Sequence, residues 1–165
     1  MFIIFILEKY EYFYFIYNYK EKDIIMLSLK VKIKLDILQS IKLETLSNEH
    51  RLIYNYLLSC IKNKTLTFKE LNELYKNYRN YNNLTISSKS SQNTCITLIN
   101  NIKSFYELRK KDVTAKFPYR FKSYKYFTTF THDYNNGNGN FKLINNNLII
   151  NLSSKYKYNL TINLP

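Results

Sequence analysis

Cations and aromatic rings alternate along one segment in the last third of the chain, residues 116–127. Residues 103–125 carry eight lysines and arginines against two acids, Glu107 and Asp112, which is +6 of the chain's net charge of +13. A core cannot hold such a cluster, so we expect it to face water or an anionic partner. Cations bind phosphates and flat rings stack on bases, so the pattern suits nucleic acid. A solvated basic loop leading into a strand with core aromatics explains it equally well.

A second set of cations recurs at strand spacing near residue 30. From Leu27 to Leu35, apolar residues alternate with Ser28 and with the three lysines Lys30, Lys32 and Lys34. This period of two predicts a half-buried strand with the lysines on one face. The pattern leaves two interpretations open, a solvated sheet face and a row of phosphate contacts.

Length and composition limit the class of protein. With 165 residues and 45% hydrophobic residues, the chain is long enough for one globular domain, or for one domain with an insertion. The excess of positive charge favours a polyanionic partner, with nucleic acid ahead of an anionic membrane. The two cysteines, Cys60 and Cys95, lie far apart, which is typical of small buried thiols in a reducing compartment. We therefore expect a cytoplasmic protein.

The first 25 residues are apolar and rich in tyrosine. The uncharged stretch before Glu8 is too short to span a bilayer, and the features of a secretory signal are missing. We expect residues 1–25 to be a non-core extension, with Met26 as the natural start. Membrane association is not expected, although an interfacial segment over residues 1–19 is an alternative that flotation with anionic vesicles would test.

Three amphipathic helices are predicted in the middle of the chain. Ser47 and Asn48 suit the start of a helix ending near Lys62. The sequence from Thr67 to Glu70 is a capping box, which predicts the start of a second helix. The third is expected from Ser88 to Lys111, and its last residues are cations that suit the negative end of the helix dipole.

Strand-forming segments alternate with turns after the basic segment. Residues 126–131, 141–144, 148–152 and 156–164 are expected to be strands, separated by asparagine-rich turns at residues 135–140 and 145–147. The order strand, helices, strands predicts an α+β fold. We expect a small antiparallel β-barrel or sheet, in which the strand at Leu27–Leu35 joins the C-terminal strands, with a three-helix insertion.

This order of parts resembles the N-terminal half of TnpB-like (OrfB) proteins, the accessory transposases of bacterial insertion sequences, which are related to type V CRISPR effectors. The resemblance covers most of residues 26–165 and depends on the order and spacing of short motifs. They are the lysine-alternating strand at residues 29–34, Asn55-Tyr56-Leu57-Leu58, Lys64–Leu71, Ser91-Gln92, Pro118–Ser123 with Tyr119 inserted, Tyr126-Phe127-Thr128, Phe141–Leu152 and Ile162–Pro165.

The resemblance implies a nucleic-acid-binding protein. It divides the chain into a wedge-like β domain (residues 26–46 and 116–165) and a helical recognition-like insertion (residues 47–115), which bind guide-like RNA and DNA by backbone shape. A RuvC-like nuclease domain would follow, and we expect it to be absent from this chain, with a separately encoded nuclease half as a candidate partner. The expected contacts are Lys30, Lys32, Lys34, Lys110, Lys111, Arg120, Phe121, Lys122, Tyr124 and Lys125.

We predict no catalysis, no metal site and no cofactor. Metal-dependent cleavage of phosphodiesters needs several converging carboxylates, and the acids of this chain are scattered. Glu44, Glu49, Glu70 and Glu73 are expected on solvated helix faces or at caps. The two histidines, His50 and His132, lack partners at ligand spacing.

Two further hypotheses remain open at this point. A helix-turn-helix DNA-binding unit could occupy residues 67–111, and it would prefer duplex DNA over structured RNA. The chain could also be a non-functional transposon relic, which would give an aggregated or molten product.

Overall fold

The computed structural model describes residues 2–8, 11–18, 27–33, 35–61, 66–117, 120–123, 129–133, 141–145, 147–153 and 158–163. Three helices follow three strands in the chain, and four strands follow the helices. The elements are β1 (Phe2–Glu8), β2 (Glu11–Asn18), β3 (Leu27–Ile33), α1 (Ile37–Ile61), α2 (Phe68–Tyr81), α3 (Ser88–Lys111), β4 (Thr129–Asp133), β5 (Phe141–Ile144), β6 (Asn147–Ser153) and β7 (Tyr158–Asn163). The predicted α+β class is confirmed.

The described strands form two open antiparallel sheets, so the predicted β-barrel is wrong. One sheet has the order β3-β2-β1-β4 and the other the order β5-β6-β7. The lysine-alternating strand β3 therefore shares a sheet with β4 but not with the last three strands, contrary to the expected single sheet. Strands that follow each other closely in the chain, such as β5 and β6, pair with each other. In the larger sheet, β1 and β2 lie between β3 and β4. The predicted turn at residues 135–140 lies outside the described residues.

The N-terminal strands lie inside the larger sheet. β1 pairs with β2 on one side and with β4 on the other, and Phe5 is opposite both Tyr14 and Phe130. Aromatic and β-branched residues are common at such paired positions. The assignment of residues 1–25 to a non-core extension stays a prediction, as do the other domain boundaries.

Helix α1 begins at Ile37, so the predicted start at Ser47 was wrong. Asp36 and Gln39 form a reciprocal capping pair: the Gln39 amide donates to Asp36 Oδ1 at 2.7 Å, and the Asp36 amide donates to Gln39 Oε1 at 3.0 Å. This is the capping-box arrangement with Asp as the N-cap. Ser47 instead lies buried within the helix.

Helix α2 begins at the predicted capping box, and α3 has the predicted bounds. Thr67 caps α2 and forms the expected capping box with Glu70. Ser87 caps α3 by accepting a hydrogen bond from the amide of Ser90. Between these helices, Asn83 adopts a positive φ of 51°, a conformation that asparagine tolerates better than most residues.

One hydrophobic core joins the helices to the smaller sheet. It contains residues of all three helices, of the loop before α3 and of strands β6 and β7. Its members are Leu43, Leu46, Ile53, Tyr54, Leu57, Leu58, Leu71, Tyr75, Ile86, Cys95, Leu98, Leu148, Ile150 and Ile162. In addition, Gln39 Nε2 donates to the carbonyl of Thr161 at 2.7 Å, which fixes α1 against β7.

Candidate nucleic-acid interface

The chain turns back after α3 and runs antiparallel to that helix. Arg109, in the last turn of α3, donates from Nη1 to the carbonyl of Ala115 at 2.8 Å. One turn earlier, the ring of Phe105 contacts the ring of Phe117, with 5.1 Å between centroids. Later residues of the returning segment therefore lie beside earlier residues of the helix.

The returning segment ends on α1. The side-chain amide of Asn55 donates from Nδ2 to the carbonyl of Lys122 at 2.8 Å, and Asn55 Oδ1 accepts from the amide of Lys122 at 2.7 Å. Lys122 Nζ lies 5.3 Å from the centroid of the Tyr54 ring, a cation–π distance. Asn101 of α3 donates to the Tyr54 hydroxyl at 3.1 Å, so Lys122 lies near the middle of α3.

This fold-back brings a second basic segment beside the C-terminal half of α3, and we call the exposed cations of the two segments the basic ridge. Its seven cations are all exposed: Lys103, Arg109, Lys110, Lys111, Lys116, Arg120 and Lys122. Two acids lie in the same stretch. Glu107 pairs with Lys110 at 2.7 Å with both side chains exposed, and such surface pairs contribute little stability. The ridge therefore keeps a positive excess.

The second acid, Asp112, serves the turn that starts the fold-back. Its Oδ1 accepts from the amide of Thr114 at 2.8 Å and from the Thr114 hydroxyl at 2.6 Å. These hydrogen bonds favour the carboxylate and lower the pKa of Asp112. Since Asp112 also closes α3 as its C-cap residue, its role is local and structural.

The predicted contact residues fall into three groups. Lys110, Lys111, Arg120, Phe121 and Lys122 lie on or beside the basic ridge, and all five are exposed. Lys30 and Lys32 lie in β3, where the register pairs them with Phe15 and Phe13 of β2. Lys34, Tyr124 and Lys125 lie outside the described residues.

The described contacts do not bring the β3 lysines to the basic ridge. β4 contacts α3, whereas β3 is at the opposite edge of the same sheet. Three strand spacings, or roughly 14 Å, separate the two edges. The two cationic groups therefore lie in different parts of the fold.

Three residues of this region were not singled out as site residues from the sequence. Asn55 fixes Lys122, and Tyr54 lies beneath the Lys122 ammonium group. Tyr106 lies within the aromatic cluster of Phe105 and Phe117, at 5.1 and 6.4 Å between centroids. A search of the sequence for aromatic residues within a cationic stretch could have found Tyr106. No local sequence signal marks Asn55.

Glu49 and His50 of α1 are buried and hydrogen-bonded to residues outside that helix. Glu49 is 7% exposed, and its carboxylate accepts from the amides of Thr85 and Ile86 at 2.8 and 2.6 Å. The prediction that Glu49 lies on a solvated face or at a cap was wrong. Burial raises the pKa of Glu49, against the opposing effect of these hydrogen bonds. His50 is buried and its Nδ1 bonds to the Thr94 hydroxyl oxygen.

The described residues contain no group of three or more His, Cys, Asp or Glu side chains that could hold a metal ion. None of the helices in the described part of the chain is long and apolar enough to cross a membrane.

Comparison with known proteins gives no relative: no protein-family model matches the chain, and neither a curated protein nor a solved structure is significantly similar to it. The resemblance to TnpB-like proteins therefore remains a hypothesis based on the order of the short motifs.

Proposed function

We propose that this protein binds nucleic acid through the basic ridge. The observation that carries the proposal is the return of residues 115–117 and 120–122 beside α3 and α1, which brings three exposed cations close to the four exposed cations in the C-terminal half of α3. Arg and Lys side chains on such a surface bind phosphates and release condensed counterions. The proposed partner is therefore a polymer with regularly spaced negative charges.

The proposal extends to the family that the motif order suggests. In this interpretation, residues 47–115 are the recognition-like insertion, residues 26–46 and 116–165 are the wedge-like part, and the ligands are guide-like RNA and DNA, bound by backbone shape. These parts contribute binding, and cleavage in such systems belongs to the RuvC-like nuclease domain. The setting is the cytoplasm, where transposon RNA and DNA are both accessible.

Salt dependence is the first test of the proposal. If about six phosphates are contacted, affinity for a structured RNA should fall roughly a thousandfold between about 50 and 200 mM salt. The measurement is fluorescence anisotropy of a labelled RNA hairpin over a salt series. A flat salt response would overturn binding through the ridge.

Charge reversal then locates the interface. Arg120→Glu with Lys122→Glu should lower affinity by at least tenfold and make the salt dependence shallower, because phosphate contacts are lost. The matched control is Lys69→Glu with Lys76→Glu, which changes the net charge equally at two exposed residues of α2. Equal effects of the two double variants would mean that net charge alone attracts the RNA, and would contradict a localised ridge.

The alternative of a helix-turn-helix unit has less support. The N-terminal residues of a recognition helix must reach base edges in the major groove. At the N-terminal end of α3, Ser90 and Ser91 are 0% exposed and Thr94 is 4% exposed. Four of the five exposed cations of α3 lie in its C-terminal half, with Lys89 as the exception, which favours contact with backbone phosphates.

A further inference from the structure

An aromatic cluster with one largely exposed ring lies at the C-terminal half of α3. Phe105, Tyr106 and Phe117 contact one another, and the rings meet tilted or edge to face. Tyr106 is nevertheless 56% exposed. The two phenylalanine rings are half-buried. Phe105 contacts the Tyr106 ring from the same helix, and Phe117 contacts it from the returning segment.

Cations surround Tyr106 on the same face of the helix. Lys103 lies three residues before it, and Arg109 and Lys110 lie three and four residues after it, which are the spacings of neighbours on a helix surface. All three are exposed. Arg109 is held in place by its bond to Ala115. An exposed aromatic ring therefore lies among three cations, and the position of one of them, Arg109, is restricted.

Phe121 adds a second exposed ring to the basic ridge. It is 49% exposed and lies between Arg120 and Lys122, whose backbone is fixed by Asn55. Phe117 and Phe121 are four residues apart, so at most about 14 Å of extended chain separates them. The ridge thus presents two exposed rings, Tyr106 and Phe121, together with its seven cations.

We propose that Tyr106 is a stacking platform for an unpaired base, so that the basic ridge binds single-stranded nucleic acid in preference to duplex. This inference rests on the proposed nucleic-acid function and specifies its ligand. The bases of a duplex are stacked on one another and expose only their edges, whereas an unpaired base offers a flat π-face. Phe121 supplies a second platform, and the cations around both rings bind the phosphates.

Three fluorescein-labelled probes test the inference: a single-stranded oligouridine of about 20 nucleotides, an oligothymidine of equal length, and a blunt RNA duplex. The variants are Tyr106→Ala and Tyr106→Phe, with Tyr81→Ala as the control, because Tyr81 is 87% exposed at the end of α2. Circular dichroism checks that each variant folds. The uridine and thymidine probes separate a preference for RNA from a preference for single strands.

We expect Tyr106→Ala to weaken binding of both single-stranded probes by about five- to hundredfold, the range for loss of one base–aromatic stack. Duplex affinity should change less than twofold, and the salt dependence should stay the same, because stacking releases no counterions. Tyr106→Phe should bind like the wild type. Tyr81→Ala should have no effect on any probe.

Three outcomes would overturn the inference. Equal losses on duplex and single strands would make Tyr106 a structural residue, and unchanged single-strand affinity in Tyr106→Ala would exclude stacking. A wild-type preference for the duplex would exclude the single-stranded ligand. If Arg120→Glu with Lys122→Glu abolishes binding while Tyr106→Ala does not, the proposed function stands and only this inference fails. If the wild type binds none of the probes, both fail.

Discussion

Asn55 of helix α1 binds both backbone groups of Lys122 through its side-chain amide, with distances of 2.8 Å to the carbonyl oxygen and 2.7 Å to the amide nitrogen. The two residues are 67 positions apart in the chain. An asparagine side chain has one donor group and one acceptor group, so it can replace a β-strand partner for a single residue. The contact fixes the backbone of the basic ridge without using the Lys122 ammonium group, which remains available to a ligand.

Replacement of Asn55 should weaken nucleic-acid binding without unfolding the protein. Asn55→Ala removes two hydrogen bonds, each worth about 1 kcal/mol, and releases residues 120–123 from α1. We expect affinity for a labelled RNA to fall about three- to tenfold while the helical circular dichroism stays unchanged. Asn55→Asp, which keeps the acceptor and loses the donor, should lie between Ala and the wild type.

Asn77→Ala on the exposed face of α2 is the matched control for Asn55→Ala and should bind RNA like the wild type. Wild-type affinity in Asn55→Ala, measured beside a clear loss in Arg120→Glu with Lys122→Glu, would show that the contact does not position the ridge.

Glu49 should give a pH-dependent contribution to stability. Burial raises its pKa in the folded protein above the usual value of 4.5, so the folded state holds the proton more tightly than the unfolded state. Its contribution is therefore fully present below the unfolded pKa and is lost as the pH rises through the folded pKa. The free energy of unfolding of the wild type, minus that of Glu49→Gln, should decrease as the pH rises above the usual carboxyl pKa of 4.5.

Urea unfolding at a series of pH values measures this difference. Glu49→Gln should also be less stable by about 1–3 kcal/mol, since its amide nitrogen cannot accept from Thr85 or Ile86. Glu44→Gln, an exposed residue of the same helix, is the control. A difference that grows with pH would mean that the hydrogen bonds outweigh burial and that the pKa is lowered.

Cys95 should be unreactive in the folded protein. It is 0% exposed, and burial raises the pKa of its thiol to about 11, so little thiolate forms at neutral pH. In a Cys60→Ser variant, alkylation by iodoacetamide should be slow under native conditions and fast in urea, as measured by intact mass. Rapid native labelling at the same pH would contradict the observed packing of α3.

Asp36→Ala should destabilise the protein through the start of α1. The change removes the N-cap acceptor for Gln39, which is worth about 0.5–2 kcal/mol in comparable helices. The predicted result is a lower midpoint of chemical unfolding with an unchanged denaturant slope. Thr45→Ala, at an exposed position within the same helix, is the control. An equal loss of stability in Thr45→Ala would show that the cap has no special role.

Local sequence signals correctly predicted the elements whose ends depend on neighbouring residues. The capping box at Thr67–Glu70 fixes the start of α2 through hydrogen bonds over three residues, so α2 begins where expected. Helix α3 begins at the expected Ser88, and the structure adds Ser87 as its cap. The start of α1 was missed because Ser47 and Asn48 also suit an N-cap, while the pair Asp36 and Gln39 carries the same signal in a less common form, with Asp36 eleven residues before Ser47.

The sequence by itself determined the positive charge, the α+β class and the alternation of cations with aromatic rings, because these depend on composition and short spacing. Tertiary structure decided the sheet order, the burial of Glu49 and the position of the basic ridge. Each of these depends on contacts between residues far apart in the chain, as between Asn55 and Lys122. Such contacts form only when the core of α1, α2 and α3 has brought their backbones together, so no local pattern could specify them.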